Sequence, residues 1–227
     1  MTLITLTIDG KRIQTQPDRT LLEAAREHAI WIPTLCYHEA LKPYGGCRLC
    51  VVELETPRGP RLVAACTYTC EDGVVVRTDT QTVQESRQVA AELLLARAGH
   101  VSFIQELAAG LGVYSTPYTL PTDDCILCAR CVRACREIVG VGAISMAERG
   151  ANREVTAPFR FSSADCIECA TCVLICPTGA ITLQDITDRT RTLHTWPSKY
   201  ARRACRLCEY HADDLSGTKK KANEHHD

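Results

Sequence analysis

The sequence predicts an α+β chain: a small β-rich domain with one helix, a helical connector, a doubled cysteine-rich unit and a polar extension. Three observations predict it. A hairpin-and-helix pattern opens the chain, apolar residues then recur at helical spacing, and one twelve-residue unit occurs twice further on. The expected boundaries are 1–80, 81–115, 116–190 and 191–227.

Leu3–Ile8 alternates apolar residues with Thr, and Asp9-Gly10 supplies a two-residue hairpin turn into Lys11–Thr15. Leu21-Leu22-Glu23-Ala24-Ala25 reads as a helix with Thr20 as N-cap, ending before Pro33. Val51–Leu54, Leu62–Ala65 and Val74–Arg77 read as short strands. Hairpin, helix and further strands suggest a β-grasp domain whose long loop carries Cys36 to Cys50. In the connector, Val83, Ala90, Leu93 and Leu94 define one helix stopped by Gly99. Phe103, Leu107 and Leu111 define a second, closed by Gly112, and Pro117 and Pro121 punctuate the exit.

The chain has 227 residues, 26 Lys+Arg against 27 Asp+Glu, and a formal charge of −1. That balance speaks against nucleic acid or an acidic membrane as the main partner. No apolar run approaches the roughly 20 residues of a membrane span. The first residues lack the basic start of an export signal, so a cytoplasmic location is expected. The informative count is 15 cysteines, an odd number in a chain without an export signal, which points to metal ligation rather than disulfides.

Asp124–Cys135 and Asp165–Cys176 are two copies of one unit, and Gly142-Ala-Ile-Ser145 after the first matches Gly179-Ala-Ile-Thr182 after the second. Each copy is C-x2-C-x2-C-x3-C, the bacterial ferredoxin run, in which the fourth Cys serves the other cluster. One 4Fe-4S cluster is therefore expected on Cys125, Cys128, Cys131 and Cys176, and a second on Cys135, Cys166, Cys169 and Cys172. Cys176 is followed by Pro177, as the run prefers; Cys135 is followed by Arg136, which removes a turn-shaping proline but no ligand. Zinc is the alternative for C-x2-C pairs, but two triplets each with a remote fourth Cys are specific to iron–sulfur. Gly140-Val-Gly142 is read as a loop between clusters, because Ser145 stands where a dinucleotide fingerprint needs its third glycine. No NAD or flavin site is expected.

In the first domain, Cys36-x10-Cys47-x2-Cys50-x15-Cys66 departs from plant-type spacing yet wraps a loop of thiolates around a small cluster, with Gly45-Gly46 letting amides approach the sulfurs. The surrounding words are Leu21-Leu-Glu-Ala-Ala25, Ile32-Pro-Thr-Leu-Cys-Tyr-His38, Gly46-Cys-Arg-Leu-Cys-Val-Val-Glu53 and Leu62-Val-Ala-Ala-Cys66. They resemble the N-terminal part of the large iron–sulfur subunit of respiratory NADH dehydrogenase and of NAD-dependent formate dehydrogenases. In length the chain is most similar to the diaphorase small subunit of NAD-reducing hydrogenases. The resemblance spans about residues 3–185 and implies a 2Fe-2S cluster on Cys36, Cys47, Cys50 and Cys66; either Cys66 or Cys70 can supply the fourth ligand, and the flanking words favour Cys66.

Two departures matter. The family's connector usually holds a His-x3-Cys-x2-Cys-x5-Cys cluster; here His100 is present, but Ile104 and Leu107 stand where cysteines belong. His100 is therefore read as a helix-cap or surface histidine. Cys205-Arg-Leu-Cys208-Glu-Tyr-His211 resembles the start of a molybdopterin-oxidoreductase cluster motif whose third Cys falls on Ala212. The chain is expected to stop where longer relatives begin their catalytic body. Cys205, Cys208 and His211 are then either a remnant or part of a small metal site.

The resemblance implies a redox subunit without catalytic residues of its own. It would carry electrons between a flavin- and NAD(P)H-binding iron–sulfur subunit and a catalytic subunit handling hydrogen, formate or a similar substrate. A peripheral-arm subunit of a respiratory NADH dehydrogenase is the alternative. An iron–sulfur sensor and a zinc scaffold are the readings from other classes; a sensor would need a recognition helix that is not evident.

Overall fold

The computed structural model describes residues 3–157 and 165–184. The chain forms two compact units, Met1–Cys128 and Ala129–Asp227.

In the first unit, β1 (Ile4–Ile8) and β2 (Lys11–Thr15) pair antiparallel with Ile8 opposite Lys11. Asp9 and Gly10 both take positive φ, 50° and 80°, the primed turn that matches strand twist. Alternation sends Leu6, Ile8 and Ile13 inward. Thr20 caps α1 (Leu21–Glu27) in a reciprocal capping box: the Glu23 amide donates to Thr20 Oγ1, and the Thr20 amide donates to the Glu23 carboxylate at 2.8 Å. β3 (Val51–Leu54) and β4 (Arg61–Ala64) are antiparallel. β5 (Val75–Arg77) lies between β1 and β3, parallel to the former and antiparallel to the latter. The sheet order is β2-β1-β5-β3-β4. Leu21 and Leu22 of α1 join Leu6, Ile8, Val52, Leu54 and Val76 in the core. This is the expected β-grasp arrangement, and each fully buried large aliphatic side chain contributes about 1.5–3 kcal/mol.

The connector helices belong to this same unit. α2 (Gln81–Ala98) is capped by the Thr80 side chain, and α3 (Ser102–Ala109) follows after a short turn. The stripe differs from the expected one. Val83, Ala91 and Ala98 are the fully buried apolar positions of α2, whereas Leu93 is 43% exposed. α3 ends at Ala109 with Gly110 as C-cap, so Leu111 lies beyond it, and Ile104 rather than Phe103 is its buried anchor. Small alanines let α2 sit close to its neighbours, which displaces the larger leucines to the flanks. A second small core gathers Leu35, Leu49, Ala98, Ile104 and Ile126, with Cys47, Leu107 and Cys128 packed against it.

The second unit contains α4 (Arg130–Arg133), a π-helical turn over Ala134–Val139, a small antiparallel pair β6 (Ser145–Ala147) and β7 (Glu154–Thr156), and α5 (Thr171–Leu174). The repeat is legible in the backbone. Leu127 and Ala129 take φ of 56° and 58°, and Glu168 and Ala170 take 57° and 56°. A left-handed non-glycine residue costs roughly 1–2 kcal/mol, so two per copy at matching positions mark a shape that the cysteine triplets require. The expected extension over 191–227, with Cys205, Cys208 and His211, lies outside the described residues.

Candidate metal centres

The first centre is built on the long loop between α1 and β3 and on the turn after β4. Cys36, Cys50 and Cys66 are buried and Cys47 is half-buried. The Cys36 amide donates to the Cys47 sulfur at 3.5 Å. The Cys36 sulfur meets the thiols of Cys47 and Cys66 and accepts from the amides of Cys47 and Gly46. The Cys50 sulfur meets that of Cys66 and accepts from the Cys66 amide. The Leu49 amide faces Cys47. The loop makes this approach with Arg48 left-handed at φ 61°. Gly46 lies under the Tyr44 ring: a Cβ there would come within 2.4 Å of it, so that half-exposed side chain would have to move.

The charge pattern follows the contacts. Thiols donated by Cys47 and then Cys66 hold Cys36 far below the ordinary thiol range, and the Cys66 thiol, against burial, draws Cys50 down to about 7. Donation to Cys36 pushes Cys47 up, and donation to Cys36 and Cys50 pushes Cys66 up. Two sulfurs of the set are thus held low and two high. Cys70 is not part of this network. Its amide donates to the Arg19 carbonyl at 2.8 Å, and burial, then Glu23 and Glu27, push its thiol up to about 11.

In the second unit, Cys135, Cys166, Cys169 and Cys172 line one cavity, walled by Val141, Ala143, Ile167 and Ala170 among others. Burial is the first cause that pushes the thiols of Cys135, Cys166 and Cys172 up, the last to about 12. The amides of Gly142, Ala143 and Ile144 point at the Cys135 sulfur, the second at 3.2 Å. At the other fourth cysteine, burial of Cys176 is outweighed by the Thr178 hydroxyl and the amides of Thr178, Ile181 and Ala180, so its thiol is held down. The Gly-Ala-Ile words noted as a repeat are therefore loops whose amides donate to a cysteine sulfur, each opened by a left-handed glycine: Gly142 at 63° and Gly179 at 69°. Their role escaped sequence reading, although recurrence after each fourth Cys was the available signal.

Cys125 and Cys128 belong to the first unit, and Cys131 and Cys176 to the second. The start of the first triplet is tied to α2. Arg97 pairs with Asp123 at 2.8 Å and donates to the Cys125 carbonyl at 2.6 Å, while the Cys125 amide donates to Asp123 at 2.8 Å. His100 Nε2 pairs with the Asp124 carboxylate at an exposed position. It is the surface histidine of the expectation and does not cap α3, whose N-cap is Val101. Ile104 is fully buried and Leu107 packs beside it, so apolar side chains fill these connector positions.

No disulfide joins the described cysteines. Among the described residues no group of three or more His, Cys, Asp and Glu is spaced for a single metal ion. Buried sulfurs that accept two or three amides fit a polynuclear, sulfur-bridged group, whose negative charge needs such donors. No helix among the described residues is long and apolar enough to cross a membrane.

Comparison with known proteins agrees with this geometry. Residues 1–81 match the 2Fe-2S iron–sulfur cluster binding domain, and residues 124–180 match the 4Fe-4S dicluster domain. The cofactors are therefore one 2Fe-2S and two 4Fe-4S clusters. The chain is 34% identical over 206 residues to the G 2 subunit of the NADH-quinone oxidoreductase of Rhizobium meliloti, covering 79% of this chain and 24% of that protein. It is 34% identical over 214 residues to the HndD subunit of the NADP-reducing hydrogenase of Solidesulfovibrio fructosivorans, covering 80% and 36%. Against a solved NAD+-reducing NiFe-hydrogenase chain, the TM-score is 0.68 at 29% identity, covering 78% of this chain and 86% of that one. The chain thus spans about a quarter to a third of the length of these curated relatives.

Proposed function

The chain belongs to the iron–sulfur proteins that join a 2Fe-2S cluster-binding domain to a 4Fe-4S dicluster domain, and from that premise we propose that it is the electron-relay subunit of an NAD(P)-dependent oxidoreductase complex. Its 2Fe-2S cluster is assigned to Cys36, Cys47, Cys50 and Cys66. One 4Fe-4S cluster is assigned to Cys125, Cys128, Cys131 and Cys176, and the other to Cys135, Cys166, Cys169 and Cys172. Electrons come from a flavin- and NAD(P)H-binding iron–sulfur subunit and leave to a catalytic subunit acting on hydrogen, formate or a similar substrate.

The observation that carries the reading is the paired construction of the two repeats: matching left-handed turns in both triplets and amide donors on both fourth cysteines. When bound, the clusters supply one-electron chemistry. The chain supplies the sulfurs, amides that stabilise added negative charge, and apolar walls that keep water away. Fifteen cysteines, twelve of them assigned to clusters, suit a reducing compartment, and the cytoplasm is the proposed location. Anaerobically purified chain should hold about 10 irons, show three sets of paramagnetic signals on reduction, and reduce no dye from NADH until a flavoprotein partner is added. Robust NADH–dye activity from the pure chain would refute the relay. Identification of co-purifying subunits separates this reading from the alternative, a peripheral-arm subunit of a respiratory NADH dehydrogenase, which the likeness to the NADH-quinone oxidoreductase of Rhizobium meliloti favours.

A further inference from the structure

Arg87 lies on the face of α2 turned toward β3 and is only 6% exposed. A buried guanidinium costs several kcal/mol unless it is paired. Its Nη2 donates to the Val51 carbonyl at 2.8 Å, and Val51 directly follows Cys50. Its Nε is buried without a hydrogen-bond partner. One neutral carbonyl does not offset a full positive charge. Arg19, Arg77 and Arg97 pair with Glu27, Glu55 and Asp123, whereas Arg87 takes part in no ion pair among the described residues. The opposing charges whose field reaches Arg87 are those of Asp79, Cys50 and Asp9. Asp79 is exposed to solvent screening. Asp9 is already engaged by the Thr78 amide at 2.7 Å and the Thr78 hydroxyl at 2.6 Å. Cys50, 1% exposed, shares the dry interior with Arg87.

We infer that Arg87 tunes the 2Fe-2S centre: its fixed positive charge, held behind Cys50, raises the reduction potential of that cluster. The inference rests on the ligand set assigned above. Four thiolates and two sulfides outweigh two ferric ions, so the centre carries a net charge of about −2 when oxidised and about −3 when reduced. Reduction adds one electron, with no bond broken and no proton moved. A nearby buried cation favours the more negative state, and low local dielectric amplifies that preference. Arginine suits the task because its guanidinium stays protonated even when buried. Arg87 is a positioning residue: it acts through its field and through the Val51 carbonyl.

The test is a redox titration of the full, anaerobically purified chain, followed by paramagnetic resonance in wild type, Arg87→Gln, Arg87→Lys and Arg87→Met. In Arg87→Gln the reduced-to-oxidised ratio of the 2Fe-2S cluster at a fixed potential should fall about tenfold, or 59 mV for a one-electron couple. Arg87→Lys should restore most of that loss. The 4Fe-4S midpoints should not move. An unchanged 2Fe-2S midpoint in Arg87→Gln overturns the proposal, as does an equal fall in Arg87→Lys, which would mark a packing role. Should Arg87→Gln take up no 2Fe-2S cluster, Arg87→Met decides. It keeps most of the side-chain volume without the charge or a polar group to bury, so a fall in midpoint supports the proposal and no fall overturns it. A wild-type chain without any 2Fe-2S signal would instead overturn the ligand assignment, and the tuning role with it.

Discussion

The amide of Ala143 donates to the sulfur of Cys135 across 3.2 Å. Eight residues of sequence separate donor and acceptor, and the chain closes that loop with a π-helical turn and a left-handed Gly140. The geometry is costly and local, which is what a site for a negatively charged sulfur requires. An amide aimed at a thiolate stabilises charge that water would otherwise solvate.

Cys66 and Cys70 separate cleanly in the structure. Cys66 meets the sulfurs of Cys36 and Cys50, whereas Cys70 faces Glu23 and Glu27. Cys70→Ser should retain the 2Fe-2S paramagnetic signal, and Cys66→Ser should lose or shift it. The opposite result would place the fourth ligand four residues later.

Cys70 also predicts a pH dependence. Folding raises its thiol from 9.0 to about 11, so the folded chain holds that proton where the unfolded chain has released it. The stabilisation is complete below about pH 9 and is lost as pH rises from about 9 to 11, on the order of 2–3 kcal/mol at most. Denaturant melts of the anaerobic protein at pH 8, 9, 10 and 11 should show wild type falling more steeply than Cys70→Ala. Parallel curves would mean that Cys70 ionises equally easily in both states.

His100 pairs with Asp124 at the surface, with side chains 47% and 60% exposed. Such pairs contribute about 0–1 kcal/mol. His100→Ala should therefore keep iron at about 10 per chain, retain every paramagnetic signal and change stability only slightly. Loss of one cluster signal in this variant would make His100 a ligand.

Much of this was legible in the residues. Asp9-Gly10 and Thr20 announced the hairpin and the first helix because turn and cap chemistry are local. The doubled cysteine run announced two clusters because each thiolate triplet must fit one small object. What stayed hidden depends on tertiary contact. The left-handed Leu127, Ala129, Glu168 and Ala170 are ordinary residues forced into an unusual conformation by the loop they close, and composition carries no sign of it. The β6–β7 pair is three residues a strand, too short to carry a period. Arg87 reads as a helix-surface residue until β3 is packed over it. On α2 the alanines, not the leucines, are the deepest apolar positions, since close helix approach selects for small size over hydrophobicity.

Gly142 and Gly179 offer a test of the crossed ligation itself. Both are left-handed, and no atom lies within 4 Å of a Cβ placed on either, so Gly→Ala adds backbone strain without a clash. That strain is roughly 1–2 kcal/mol, enough to swing the following amides off the sulfur they serve. Weaker donation destabilises the reduced cluster, so its midpoint should fall. Gly142→Ala acts on Cys135, and Gly179→Ala acts on Cys176. If the fourth cysteines cross between repeats, Gly142→Ala must move the same 4Fe-4S signal that Cys166→Ser abolishes. Gly179→Ala must move the one that Cys125→Ser abolishes. The uncrossed pattern, with Gly142→Ala and Cys125→Ser acting on one signal, would show that each repeat holds its own four cysteines.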